Sequence, residues 1–344
     1  MEININDLAK KRLKRRREFC ISSNEIPYDK IIIHKHSRDK IYNSNKLIEK
    51  LNDLVDIQKK INNIEGFARY NFYLSRVEQK LMLISDRQGP NLKLLCQYYN
   101  CMNGKMKYQT FLLIIYKIFD IIHSLHKENL IHLDIKPSNI CICNFSEIKK
   151  GNIIKFIDHE TIGNNNRIKL YDIGTERYKS INMSKISGTK DLESCHCFNF
   201  SDDFESFFYT IIYIFFGDLP WNLYDTKDEI YDKKKKFKKF ALQNNEFPKI
   251  FKQILEIIEN SYQIDKYNQC IYDNIKIIIA NSLQKIVDRD VVDLDKSIKF
   301  LFEWDIECKK NSQQFKNLYN GLNISYDNYI TELNDFEKIL QLQK

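Results

Sequence analysis

"LIHLDIKPSNICI", Leu130 to Ile142, carries His132, Asp134, Lys136 and Asn139 between a long apolar segment and a short β-branched run. The preceding segment, "QTFLLIIYKIFDIIHSLHKEN" (109–129), stacks Leu112, Ile115, Ile118, Phe119 and Ile122 at helical spacing. It is apolar nearly all round, which predicts a helix buried in a large lobe. The runs that follow, "NICIC" (139–143) and "IIKFID" (153–158), read as short strands joined by a turn containing Gly151. Asp158, nineteen positions after Asn139, therefore returns to the same hairpin mouth. Phosphoryl transfer draws on this inventory: a carboxylate to orient a hydroxyl and take its proton, a lysine to neutralise the moving group, and an Asn with a second Asp to hold Mg²⁺.

Working outward, Ile31 to Ile33 reads as a strand, and Leu47, Leu51, Leu54, Ile57 and Ile61 share one face of a helix. "ARYNFYL" (68–74) and "QKLMLISD" (79–86) add two strands, so a small sheet carrying one helix is expected before residue 88. Beyond it, "DDFESFFYTIIYIFF" (202–216) is a second mostly apolar helix, and helical periods recur at 250–258, 275–283 and 294–302. The tail from about residue 310 reads as one or two closing amphipathic helices.

The 344 residues are 43% hydrophobic, which excludes a disordered chain and supplies a real core. Nine cysteines without paired spacing and no apolar leader predict a reducing, intracellular setting, cytoplasmic or nuclear. "FFYTIIYIFFG" is too short to span a bilayer, so no membrane span is expected. The net charge of +8 concentrates in "KKRLKRRR" (10–17) and "KKKKFKKF" (233–240). Each run reads either as a contact for a nucleic acid or acidic partner or as a solvated helix face.

"HLDIKPSN" resembles the catalytic loop of eukaryotic protein kinases, where His-Arg-Asp is followed by Lys-x-x-Asn. "GTERYKSIN" (174–182), "DDFES" (202–206), "GDLPW" (217–221), "TKDEIYDKKK" (226–235) and "GPNLKLL" (89–95) are similar to the casein kinase I and vaccinia-related kinase group. Members of that group carry Ser-Ile-Asn where most kinases have Ala-Pro-Glu. The matches run in order over roughly residues 75 to 245. The resemblance implies an α+β, bilobal protein-kinase-like fold with a small β-rich N-lobe and a larger, mainly α C-lobe. Its divisions would be a basic segment at 1–30, the N-lobe at 31–88, the C-lobe at 89–308 and a helical tail at 309–344.

What the resemblance implies for function is a Ser/Thr kinase that uses ATP and Mg²⁺ on a protein substrate. Asp134 would be the catalytic base, Lys136 the phosphate-facing lysine and Thr175 the threonine that hydrogen-bonds around the base. Asn139 and Asp158 would be the metal ligands, and Asp203 would tie its helix to the catalytic loop. Lys35, in "IIHK", with Glu49 fourteen residues on, would form the ion pair at the nucleotide phosphates, with Asp53 or Asp56 as alternative acids. Asp86 and Cys141 complete the nucleotide-binding positions, Cys141 falling where the family has the apolar floor under adenine.

Four departures from the family pattern bear on activity. Leu133 replaces the Arg that reads a phosphorylated activation loop, which implies a kinase that needs no such phosphorylation. Asp158-His159-Glu160 replaces Asp-Phe-Gly. No glycine precedes Gly66, so the loop that lays backbone N–H groups over phosphates is missing, and low turnover is expected. The phosphate lysine is hard to place, a generic strand-end lysine being the alternative at Lys35. A pseudokinase acting as a binding module therefore stays open beside the enzyme. A small-molecule kinase, suggested by "FIDHE" (156–160), is the third reading. Cys195, Cys197, Cys141 and Cys143 read as free thiols, with zinc as the alternative.

Overall fold

The computed structural model describes residues 30–34, 56–75, 80–86, 88–101, 106, 108–143, 153–159, 161–164, 173–186, 198–221, 225–264 and 267–284. These fall into two compact units, one built from strands within 30–34 and 69–86, the other from 56–68 and 88–284. The basic run at 10–17, Lys35, Glu49, Asp53, Glu160, Cys195, Cys197 and the tail lie outside the described residues, as does the helix expected at 294–302.

The smaller unit is an antiparallel sheet of β1 (Lys30–His34), β2 (Tyr70–Ser75) and β3 (Lys80–Asp86), in the order β1-β3-β2. The three β-rich runs are the predicted ones. The apolar run Leu81–Ile84 belongs to the central strand, where both edges are hydrogen-bonded, pairing Ile32 with Ile84 and Phe72 with Leu83. Asp86 closes β3 opposite Lys30.

The larger unit is mainly helical. A helical segment at 56–61 is followed by α1 (Leu92–Cys101) and α2 (Tyr108–Lys127), the predicted apolar helix. Its Leu112, Ile115, Ile118, Phe119 and Ile122 are all buried. Two small two-stranded sheets follow: β4 (Leu130–Ile131) pairs with β7 (Gly163–Asn164), and β5 (Ile140–Ile142) pairs with β6 (Ile154–Phe156). Then come α3 (Ile181–Ile186), α4 (Phe200–Phe216), α5 (Lys227–Gln243), α6 (Lys249–Ser261) and α7 (Gln269–Gln284).

Local chemistry sets the ends of α4, the second predicted apolar helix. Asn199 and Asp202 form a reciprocal capping box at its start, and Gly217, at φ 84°, takes the left-handed conformation that ends it. Phe204, Phe207 and Phe208 are buried, and Phe119 of α2 packs against the first two at 5.8 and 5.1 Å. Each fully buried side chain of this size contributes about 1.5–3 kcal/mol. Among the described residues, no helix is long and apolar enough to cross a membrane.

The lysine-rich run at 233–240 lies on α5, whose start is capped by Thr226 and Glu229. It is not simply a solvated face. Lys234 and Lys238 are buried, whereas Lys235, Lys236 and Lys239 are exposed. One run of like charges thus divides between core and surface at helical spacing.

Candidate functional site

Between β4 and β5 the chain makes a tight polar loop, and its backbone is strained. Leu133 adopts φ 62° and Asp158, after β6, φ 65°. The left-handed region costs a branched residue such as Leu133 roughly 1–2 kcal/mol, and such strain persists only where the surroundings impose it. Asp203 of α4 imposes it here: its Oδ1 accepts from Leu133 N at 2.8 Å and its Oδ2 from His132 N at 2.7 Å. Gly174 is needed for the same reason, because a Cβ there would stand 2.4 Å from the Leu133 carbonyl oxygen.

Asp203 has a further partner that sequence reasoning missed. His126 Nε2 lies 2.9 Å from Asp203 Oδ2, and Nδ1 lies 2.7 Å from the Tyr272 hydroxyl. An Nε2–H donating to Asp203 leaves Nδ1 to accept from Tyr272, so one tautomer of a neutral ring satisfies every partner. The available signal was position: His126 lies one helical turn beyond Ile122 on the buried stripe of α2, where a polar ring needs partners.

Around Asp134 three predicted residues converge. Lys136 Nζ donates to Asp134 Oδ2 at 2.6 Å and to Thr175 Oγ1 at 2.6 Å. The Thr175 hydroxyl donates to Asp134 Oδ1 at 2.8 Å. Asn139 Nδ2 donates to both the carbonyl and Oδ2 of Asp134, each at 3.0 Å. Asp134 is only 8% exposed, so these interactions are shielded from bulk water. Both Asn139 donors being spent on Asp134, its Oδ1 is directed elsewhere as an acceptor.

Asp158 joins this group through the backbone. The β5–β6 pairing sets Ile140 opposite Phe156, and Ile157 N donates to the Asn139 carbonyl at 2.8 Å, so Asp158 follows directly beside Asn139. Next to it, His159 is buried, with Nδ1 3.3 Å from Gln58 Oε1 and Nε2 3.3 Å from the Phe156 carbonyl. Phe67 meets its ring edge-on at 5.3 Å. The polar ring keeps the volume of an apolar plug, and an oxygen that can accept its N–H lies beside either nitrogen, Gln58 Oε1 or the Phe156 carbonyl. Gln58 was not singled out from sequence; it lies beside Ile57 and Ile61 on the predicted helix, and its burial marks it.

His132 is fully buried between Phe67 and Phe156, at ring distances of 6.3 and 5.1 Å. Burial pushes its pKa below the usual histidine range, with Asp203, Asp134 and Asp158 opposing the shift in part. Its Nδ1 accepts from Asp134 N at 3.3 Å. Leu133 is buried too, packed where a charged side chain would be costly.

Cys141 lies buried in β5 opposite Lys155, and burial pushes its thiol up to about 12, so it is a packing group and not a nucleophile. Asp86 belongs to the separate small sheet, and Asp56, an alternative acid, is exposed and paired with Lys59 at 3.0 Å. Among the described residues, no group of three or more His, Cys, Asp or Glu side chains is placed to hold a metal ion, and Cys141 and Cys143 are both buried. Asn139 and Asp158 supply an amide oxygen and a carboxylate. Hard oxygen donors of this kind suit Mg²⁺ shared with phosphate groups, whose oxygens would complete the coordination.

No protein-family model matches the chain. It is 25% identical over 166 residues to casein kinase I homolog 3 of Saccharomyces cerevisiae, an alignment covering 44% of this chain and 31% of that protein. It is 27% identical over 195 residues to casein kinase 1-like protein HD16 of Oryza sativa subsp. japonica, covering 55% of this chain and 27% of that one. The chain thus spans less than a third of the length of these relatives. The similarity supports a protein kinase relationship.

Proposed function

We propose that the chain is a divergent Ser/Thr protein kinase of the casein kinase I and vaccinia-related type, with a bilobal fold, transferring the γ-phosphoryl group of ATP to a protein hydroxyl at low turnover. The observation that carries this reading is Asp134 with Lys136, Thr175 and Asn139 all hydrogen-bonded to its carboxylate at 2.6–3.0 Å, Lys136 bonding Thr175 as well. The β-rich part through residue 88 would be the N-lobe and residues 89–308 the C-lobe, with 1–30 and 309–344 as flanking segments.

In this mechanism the acceptor hydroxyl approaches the Asp134 carboxylate. Its oxygen forms a bond to the γ-phosphorus as the bond to the ADP oxygen breaks, and its proton passes to Asp134. Lys136 bridges Asp134 and Thr175 in the resting site and turns its ammonium to the transferring phosphoryl group. Thr175 holds Oδ1 of the base and so fixes which oxygen faces the acceptor. Asn139 Oδ1 and Asp158 would hold Mg²⁺, which when bound offsets phosphate charge. Buried Cys141 serves as apolar floor beneath the nucleotide base; Lys35, Glu49 and Asp86 remain the nucleotide-binding assignments of the resemblance. Casein kinase I homologues as relatives support a protein acceptor.

The test is Mg·ATP-dependent incorporation of labelled phosphate by purified wild-type protein, with phosphoamino-acid analysis of the product. Phosphoserine or phosphothreonine is the expected result. A folded protein that neither binds Mg·ATP nor transfers phosphate would instead be a binding module, and phosphorylation of a sugar or amino alcohol would give the small-molecule reading.

A further inference from the structure

Lys234 lies in the lysine-rich run of α5, yet it is 0% exposed. A buried ammonium is costly unless acceptors surround it. Its Nζ donates to the carbonyls of Glu176 and Lys179, both at 2.7 Å, and stands 5.3 and 5.7 Å from the ring centroids of Tyr209 and Trp221. Other carbonyls of the same turn are engaged as well. Thr175 O accepts from Tyr178 N at 2.8 Å and Lys179 N at 3.0 Å, and Arg177 O accepts from Trp221 Nε1 at 2.9 Å. The turn at 175–179 is therefore gripped from the core side by a cation and an indole. Its first residue presents its hydroxyl to Asp134.

We propose that Lys234 is a positioning residue for the acceptor polypeptide: by holding the carbonyls of Glu176 and Lys179 it fixes the turn past which the acceptor chain must lie to bring a hydroxyl to Asp134. This rests on the kinase reading of the site. The neighbouring lysines do other work, Lys233 pairing with Asp225 at 2.7 Å and Lys238 with Glu205 at 3.3 Å, so the grip on this turn belongs to one position of the run. Burial pushes the Lys234 ammonium down to about 8, with Glu205 and Glu176 opposing the shift in part.

The experiment compares full-length wild type with Lys234→Met and Lys234→Arg, by backbone hydrogen exchange and by steady-state kinetics. Loss of the ammonium should raise exchange of amides 175–180 about tenfold while α2 and α4 stay protected, since a local opening exposes only its own segment. The KM for an acceptor protein should rise about tenfold with the KM for ATP unchanged, and an unchanged acceptor KM would overturn the proposal. Lys234→Arg, which retains a cation and donors, should recover at least part of both effects. Exchange that is unchanged at 175–180, or that rises equally through α2 and α4, would overturn the proposal. If Lys234→Met does not fold, Lys234→Gln, with a shorter arm that keeps an N–H donor, is judged by the same exchange ratio. A wild type that transfers no phosphate would defeat the kinase reading, and the exchange pattern would then decide on its own whether Lys234 holds the turn.

Discussion

The two sides of the candidate site are built differently. On the side proposed to receive the acceptor, Asp134 takes hydrogen bonds from Lys136, Thr175 and Asn139, and its loop is clamped by Asp203. On the side proposed to hold the metal, Asp158 follows β6 beside a buried His159 that meets Gln58 and the Phe156 carbonyl. The first side carries one departure from the resemblance, Leu133, and the second carries His159. Each changed side chain is accommodated by its own surroundings, polar partners for a polar ring and burial for an apolar one. At His159 the Gln58 amide oxygen and the Phe156 carbonyl face the ring nitrogens, and at 133 the uncharged Leu side chain is buried.

The largest structural effect should come from removing the clamp on the acceptor side. Asp203→Ala leaves the N–H groups of His132 and Leu133 and the His126 ring without their acceptor, at a cost of about 3–5 kcal/mol in chemical denaturation. A loss below about 1 kcal/mol, the range of an ordinary surface change, would mean that the loop is held by something else.

Next in size is a pH effect at Lys234, faced by Glu205, Glu176, Lys179 and Lys238. Its folded pKa of about 8 lies below the ordinary lysine value of 10.5, so between those values the unfolded chain holds a proton that the folded chain has released. Stability contributed by this group therefore rises with pH through that window. The stability difference between wild type and Lys234→Met should move by about 1–2 kcal/mol in favour of wild type from pH 7.5 to 9.5. A pH-independent difference would contradict the burial of the charge.

A smaller effect probes the metal side. Gln58→Leu alone should destabilise by about 1 kcal/mol, because a nitrogen of His159 loses its partner. Combining it with His159→Phe should cost less than the sum of the single changes, by about 0.5–1 kcal/mol in a double-mutant cycle. Strict additivity would show that the His159–Gln58 contact carries no energy and that the two sides of the site do not differ in this way.

Much of the fold was legible because it rests on local periodicity. The strands at 30–34, 70–75 and 80–86, the hairpin of β5 and β6 and the helices α2, α4, α6 and α7 all lie where apolar spacing places them. The Asp134 set was legible because its members sit close in sequence, apart from Thr175. What was not legible depends on long-range contacts. Nothing in "KKKKFKKF" distinguishes Lys234 from Lys235, yet one points into the core at Glu176 and Lys179 while the other lies over the Tyr231 ring. The His126–Tyr272 and His159–Gln58 pairs join residues 146 and 101 positions apart, a separation at which spacing rules carry no information.

The central claim is that Asp134 is the base of a working phosphoryl-transfer site, and the most direct measurement is labelled-phosphate transfer from Mg·ATP by wild type beside Asp134→Asn. Asparagine keeps the shape and removes the proton acceptor, so the rate should fall by about 10²–10⁴ with the fold intact. Equal transfer by the two proteins would contradict the account.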